Sequence, residues 1–194
     1  AQLRAFEPSL EVEEIQVVTQ GDRVQDRPLH EVGGKGLFVS EVEAYVARGE
    51  ADLAVHSLKD VPGDVKPAEG LGLVCFPKRE DPRDVLLTRE GEDLMDLTAG
   101  AVLGTTSLRR ETQLRRHRPD LAFKTLRGNV DTRLKRLRDG DYDGIVLAAA
   151  GLSRLGLLEG QPHTLLERDV CLPAIGQGTL ALEARLDDSA TVAL

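Results

Sequence analysis

Ala122–Ala148 reads AFKTLRGNVDTRLKRLRDGDYDGIVLA, and it holds one complete strand–helix–strand alternation. Ala122–Thr125 is a short β-type run, and Arg127-Gly128 turns the chain. Val130, Leu134 and Leu137 share one face of a helix over Val130–Arg138, which Asn129 can cap and Asp139-Gly140 closes. Gly144–Ala148 is again a short apolar run. Outward from here the alternation repeats. Strands are predicted at Val12–Thr19, Asp52–His56, Gly72–Cys75, Val85–Thr88, Ala101–Gly104 and Thr179–Glu183. Helices are predicted at Leu37–Arg48, at Ser107–Arg116 with Thr106 or Ser107 as cap and Leu108 on its inner side, and around Gly151–Leu155. The pattern is that of an α/β protein with largely parallel sheets.

Two segments interrupt it. Pro77–Pro82 (PKREDP) is polar and proline-bounded, and Leu172–Gln177 (LPAIGQ) can return the chain. The predicted organisation is a first lobe of residues 1–76 with 177–194, a second of 81–172, and crossovers at 77–80 and 173–176. Two such open α/β lobes would present ligand groups at the carboxyl ends of their strands.

Composition narrows the function. Apolar residues are 41% and charged residues 30% of the 194, enough for a core and too polar for membrane burial. No apolar run reaches the roughly 18 residues that cross a bilayer, and no signal-peptide pattern opens the chain. The expectation is a soluble cytoplasmic protein. His30, His56, His117 and His163 are scattered without metal-ligand spacing, so no metal is expected. Cys75 and Cys171 are each flanked by apolar residues; they allow one disulfide, but two buried free thiols are expected. A net charge of −8 and 3% aromatics argue against a nucleic-acid partner.

The cations are nevertheless concentrated. From Arg109 to Arg138 lie Arg110, Arg115, Arg116, Arg118, Lys124, Arg127, Arg133, Lys135 and Arg136 as well, against Glu111, Asp120 and Asp131. Arginine suits bidentate capture of carboxylates or phosphates. In Gly104–Gln113 (GTTSLRRETQ), Arg109 and Arg110 occupy the first helical turn beside Ser107. The helix dipole opposes cations there, and an anion would reverse that penalty. Arg127 and Arg133 repeat the arrangement at the next strand end, and Arg154 follows Gly144–Ala148. Arg115, Arg116, Lys135, Arg136 and Arg138 lie farther along and read as solvated faces.

Leu53–Pro62 (LAVHSLKDVP) ends a strand and at once offers His56, Ser57, Lys59 and Asp60. The residues alone allow either a solvated Lys-Asp turn or an active strand end. Val32–Val39 (VGGKGLFV) is a glycine loop in which Gly33, Gly34 and Gly36 permit close backbone approach and Lys35 can reach a ligand. It matches neither nucleotide fingerprint. Pro173–Gly178 (PAIGQG) places Gln177 before the last strand.

Taken in order, VTQGDR, GGKGLFV, AVHSLKDVP, GTTSLRR, LRGNVDTRL, AAAGLSRLGL and PAIGQG resemble the motifs of the porphobilinogen deaminase (hydroxymethylbilane synthase) family across nearly the whole chain. The resemblance implies two lobes like type II periplasmic binding proteins, with a third, cofactor-carrying domain absent from this chain. It implies a transferase of tetrapyrrole (haem and chlorophyll) biosynthesis that joins four porphobilinogen units head to tail, releasing ammonia, to give hydroxymethylbilane. Asp60 would be the catalytic carboxylate, accepting pyrrole N–H hydrogen bonds and stabilising positive charge as a methylene-pyrrolenine forms. Arg109, Arg110, Arg127, Arg133 and Arg154 would hold substrate and cofactor carboxylates, helped by Lys59, Ser107, Lys35 and Gln177. Phe38, His56 and Ser57 would lie near the cleft. Glu31 departs from the pattern, standing where some members carry lysine.

The implied cofactor is dipyrromethane, bound through a cysteine of the third domain; neither Cys75 nor Cys171 lies in a matching motif. A truncated monomer, inactive by itself, is therefore expected. The competing reading is a two-lobed polycarboxylate-binding protein without catalysis.

Overall fold

The computed structural model describes residues 2–19 and 39–194, in two compact units. Among these residues the first unit takes in 2–19, 39–78 and 180–194, and the second 79–179. In chain order the elements begin α1 (Gln2–Phe6), α2 (Ser40–Ala47), β1 (Leu53–Ser57), a 3₁₀ turn (Leu58–Asp60), β2 (Leu71–Cys75) and β3 (Asp84–Thr88). Then come β4 (Val102–Gly104), α3 (Leu108–His117), β5 (Ala122–Lys124), α4 (Val130–Arg138) and β6 (Gly144–Ala148). The chain finishes with α5 (Ala149–Arg154), β7 (His163–Leu166), β8 (Leu180–Arg185) and α6 (Ser189–Val192).

The second unit is built on a five-stranded sheet of order β5-β4-β6-β3-β7. Side chains alternate across it, as a pleated strand requires. Val85 and Leu87 of β3 with Ile145 and Leu147 of β6 pack on one face against Leu134 and Leu137 of α4 and Leu152 of α5. Leu86 and Val146 point the other way, onto Leu114 of α3, Leu103 and Cys171. Both faces are covered, so all five residues of β3 are buried. Burying a leucine in such a layer contributes roughly 2 kcal/mol. The predicted caps form: Asn129 Oδ1 accepts from Thr132 N at 2.9 Å, and Ser107 Oγ from Arg110 N at 3.4 Å. The first unit has a smaller core of Val46, Ala54 and Leu71 beneath a three-stranded sheet of order β1-β8-β2.

Several expectations are corrected. The sheets are mixed rather than largely parallel: β4 runs parallel to β5 and β6, but β3 is antiparallel to β6 and β7, and β8 antiparallel to β1 and β2. The reason is topological. The returning segment inserts β8 between β1 and β2 in the opposite sense. Val12–Thr19 is irregular rather than a strand, with Val12, Ile15 and Val18 exposed. Leu108 is 61% exposed, because the inner stripe of α3 is Arg110 and Leu114 instead. The short edge strand β7 was not anticipated. Both cysteines are free, but Cys75 is exposed at the end of β2 and only Cys171 is buried. The glycine loop, with His30, Glu31, Lys35 and Phe38, lies outside the described residues.

Gly178 shows how tightly the two ends of the second unit are joined. Glu80 N donates to Gly178 O at 3.0 Å, Arg154 Nη2 donates to the same carbonyl at 2.7 Å, and Gly178 has φ +86°. A Cβ there would lie 2.6 Å from the Glu80 carbonyl oxygen. Gly178→Ala combines left-handed strain with a backbone clash and is expected to cost about 2–4 kcal/mol. Urea denaturation measures it; a loss under about 0.5 kcal/mol, the scale of ordinary surface changes, would show that the junction yields.

Candidate active site

Asp84 organises the predicted anion-binding region of the second unit. It opens β3 with its side chain wholly buried and receives donors from three directions. Arg109 Nη1 donates to Oδ2 at 2.7 Å. Arg110 donates to Oδ1 through Nε at 3.0 Å and Nη2 at 2.8 Å. Gln177 Nε2 donates to Oδ1 at 2.9 Å and to Pro82 O at 2.7 Å. Burial pushes the Asp84 carboxyl up, but Arg110 and Arg109 with Gln177 more than reverse this and hold it below its ordinary value. The anion that the helix start calls for is thus supplied by the chain itself. Arg109 Nη1 also meets Leu172 O at 2.5 Å, and Arg110 Nη1 meets Val146 O at 2.9 Å.

Arg133 donates from Nε to Gly128 O at 2.7 Å, and no acid pairs with its guanidinium among the described residues. Its pKa is lowered by burial first, then by repulsion from Arg110 and Arg127. Arg154 is exposed and held by Gly178 O. The Ser107 hydroxyl serves as the α3 cap. Gln177 Oε1 is buried and meets no donor among the described residues.

In the first unit the 3₁₀ turn presents Lys59 and Asp60 exposed, directly after β1 with Ser57 exposed and His56 buried. His56 Nε2 lies 3.0 Å from Glu183 Oε2, with side chains 4% and 1% exposed. The structure so brings Arg109, Arg110 and Gln177 onto one acid, with Arg133 within reach of the charges of Arg110 and Arg127. Lys35 and Phe38 lie outside the described residues.

Sequence reasoning missed three acids. Asp84 was left outside the strand, although an acid heading a fully apolar run (DVLLT) was the available signal. Glu183 sits at a buried position of LALEAR, where alternation calls for an apolar residue. Glu43 carried no signal.

Cys171 has its own chemistry. Its Sγ lies 3.4 Å from Asp84 Oδ2, and burial, followed by that neighbouring charge, pushes the thiol up to about 11. Such a thiol stays protonated and unreactive at neutral pH. In the native protein a thiol reagent is expected to modify Cys75 and spare Cys171 until unfolding, as read by peptide mass mapping. Equal labelling rates would contradict this environment. Among the described residues no cluster of His, Cys, Asp or Glu is arranged to hold a metal, and no helix is long and apolar enough to cross a membrane.

Comparison with known proteins adds the following. The family model described as "Porphobilinogen deaminase, dipyromethane cofactor binding domain" matches residues 1–193. A porphobilinogen deaminase of Sorangium cellulosum (strain So ce56) is 54% identical over 186 residues, 96% of this chain and 61% of that protein. One of Shouchella clausii (strain KSM-K16) is 52% identical over 193 residues, 100% of this chain and 61% of that protein. The chain thus spans about 61% of the length of these curated relatives. Among solved structures, similarity extends to the ligand-binding component of an ABC-type import system from Staphylococcus aureus, with TM-score 0.47 and 16% identity over 79% of this chain and 56% of that one. The Bordetella pertussis BvgS VFT2 domain (double mutant F375E/Q461E) matches with TM-score 0.45 and 20% identity, over 80% of this chain and 64% of that one.

Proposed function

Because the chain belongs to the porphobilinogen deaminase family, we propose that it serves the head-to-tail joining of four porphobilinogen units into hydroxymethylbilane, with release of ammonia. The observation that carries this reading is Arg133. Its partly buried guanidinium donates to the Gly128 carbonyl and meets no acid among the described residues, which favours an anionic ligand. Porphobilinogen and dipyrromethane both bring acetate and propionate carboxylates, so the side chains present fit either.

In this reading Arg127 and Arg133 bind ligand carboxylates directly, and Arg154 and Lys59 assist at the exposed margin. Arg109 and Arg110 are set in place by Asp84, and Gln177 by Asp84 and Pro82 O. Dipyrromethane, when bound, supplies an electron-rich pyrrole carbon for the first joining. Asp60 accepts the pyrrole N–H and offsets the positive charge that develops as the aminomethyl group loses ammonia. We place dipyrromethane on a cysteine beyond these 194 residues, a placement supported by the buried, protonated state of Cys171, and expect the 194 residues alone to be inactive. The same reading makes residues 77–80 and 173–176 the crossovers between lobes and the protein a cytoplasmic monomer. Lys35, Phe38, Ser57 and Ser107 keep supporting roles near the ligand.

The test is incubation of the full-length gene product with porphobilinogen, following ammonia release and bilane formation. Product formation supports the proposal. Saturable binding of porphobilinogen without product would instead favour a polycarboxylate-binding protein.

A further inference from the structure

The turn that bears Asp60 does not rest on a filled core. Beneath it lies a cavity of about 270 Å³, walled by Leu58, Val61 and Pro62 and floored by Glu43, His56 and Glu183. The floor follows from strand register. Ala54 pairs with Glu183 and His56 with Ala181, so His56 and Glu183 are diagonal neighbours on one face of the sheet. Helix α2 brings Glu43 into the same lining, close enough to Glu183 for their charges to act on each other.

Burial and the charge of Glu183 raise the Glu43 pKa, while His56 and a hydrogen bond from Ala68 N–H act the other way. Lys66 is the cation lining the cavity. His56 and Glu183 are buried where the unit's apolar core, Val46, Ala54 and Leu71, is small.

We infer that His56, Glu183 and Glu43 are positioning residues for Asp60, a polar cluster beneath the turn that fixes where that carboxylate stands. The inference rests on the proposed role of Asp60. Its bonds have fixed lengths, so losing one lets the turn settle into the cavity. A displacement of about 1 Å at a reacting group costs on the order of 10²-fold in rate. It leaves carboxylate capture by the arginines of the other unit untouched.

The experiment uses the full-length protein with porphobilinogen. His56→Ala and Glu183→Ala are expected to lower kcat by about 10- to 100-fold with KM changed less than about 2-fold. Glu43→Gln keeps the size and hydrogen-bonding capacity of the side chain and removes its charge. It is expected to keep kcat closer to wild type than the alanine variants do and to flatten the kcat–pH profile where Glu43 titrates. Thermal melting supplies a readout apart from activity. With a raised folded pKa, the wild type has the Glu43 contribution in full below the unfolded value and loses it as pH rises through the folded value; Glu43→Gln removes that loss.

Unchanged kcat, KM and pH profile in Glu43→Gln and in whichever alanine variant folds would overturn the inference, even if melting temperatures fall. Asp60→Asn run in parallel separates the two readings. If that variant turns over like wild type, the role of Asp60 fails and the inference falls with it. If it is inactive while the cluster variants behave as wild type, only the inference fails.

Discussion

Asp84→Ala is expected to destabilise the fold by about 3–5 kcal/mol, the cost of leaving a buried ion pair without one partner. Two guanidinium groups depend on this carboxylate, one of them on a residue only 8% exposed. Among the described residues Arg110 would keep the Val146 carbonyl, and Gln177 the Pro82 carbonyl. For a chain of this size the melting temperature should fall on the order of 10 °C. The pH dependence gives a second reading. Because the folded pKa of Asp84 is depressed, its contribution is complete above the unfolded carboxylate range and disappears as pH falls through the lower, folded value. Asp84→Asn should therefore flatten the acid side of the stability profile. Loss of less than about 1 kcal/mol in the alanine variant would mean that solvent already screens these charges.

Asp60→Asn should affect the chemistry and leave the fold alone. The side chain is exposed on a short turn, so melting should change little. Asparagine keeps an acceptor oxygen but not the negative charge, and losing one such electrostatic stabiliser costs about 10²- to 10³-fold in kcat. Binding of porphobilinogen should weaken only slightly, since a carboxylate does not help to hold a polyanion. The measurement is kcat and KM for the full-length enzyme. A variant with altered affinity and intact turnover would remove Asp60 from the mechanism.

What could be read from the sequence follows physical lines. Helix α4 was legible to its ends, because Asn129 and Gly140 mark caps that depend only on local backbone geometry. The strands β3, β4 and β6 were legible as apolar runs. Strand direction was not, since nothing within LALEAR tells that β8 enters between β1 and β2 in reverse. Arg109 and Arg110 stood out by opposing the helix dipole, yet the anion resolving that conflict lies 25 residues upstream of Arg109 and only the fold brings it near. The pair His56 and Glu183 is separated by 127 residues and was invisible for the same reason. Exposure also escaped the pattern: Leu108 is apolar but outward, and Arg110 is charged but inward. At that position a buried partner outweighs hydrophobicity.

The most direct test of the whole account is the intact mass of the full-length gene product, before and after addition of porphobilinogen. The account predicts a starting excess equal to one dipyrromethane, then discrete increments, each one porphobilinogen less ammonia, that vanish in Asp60→Asn. A mass equal to the bare polypeptide, unmoved by porphobilinogen, would contradict it.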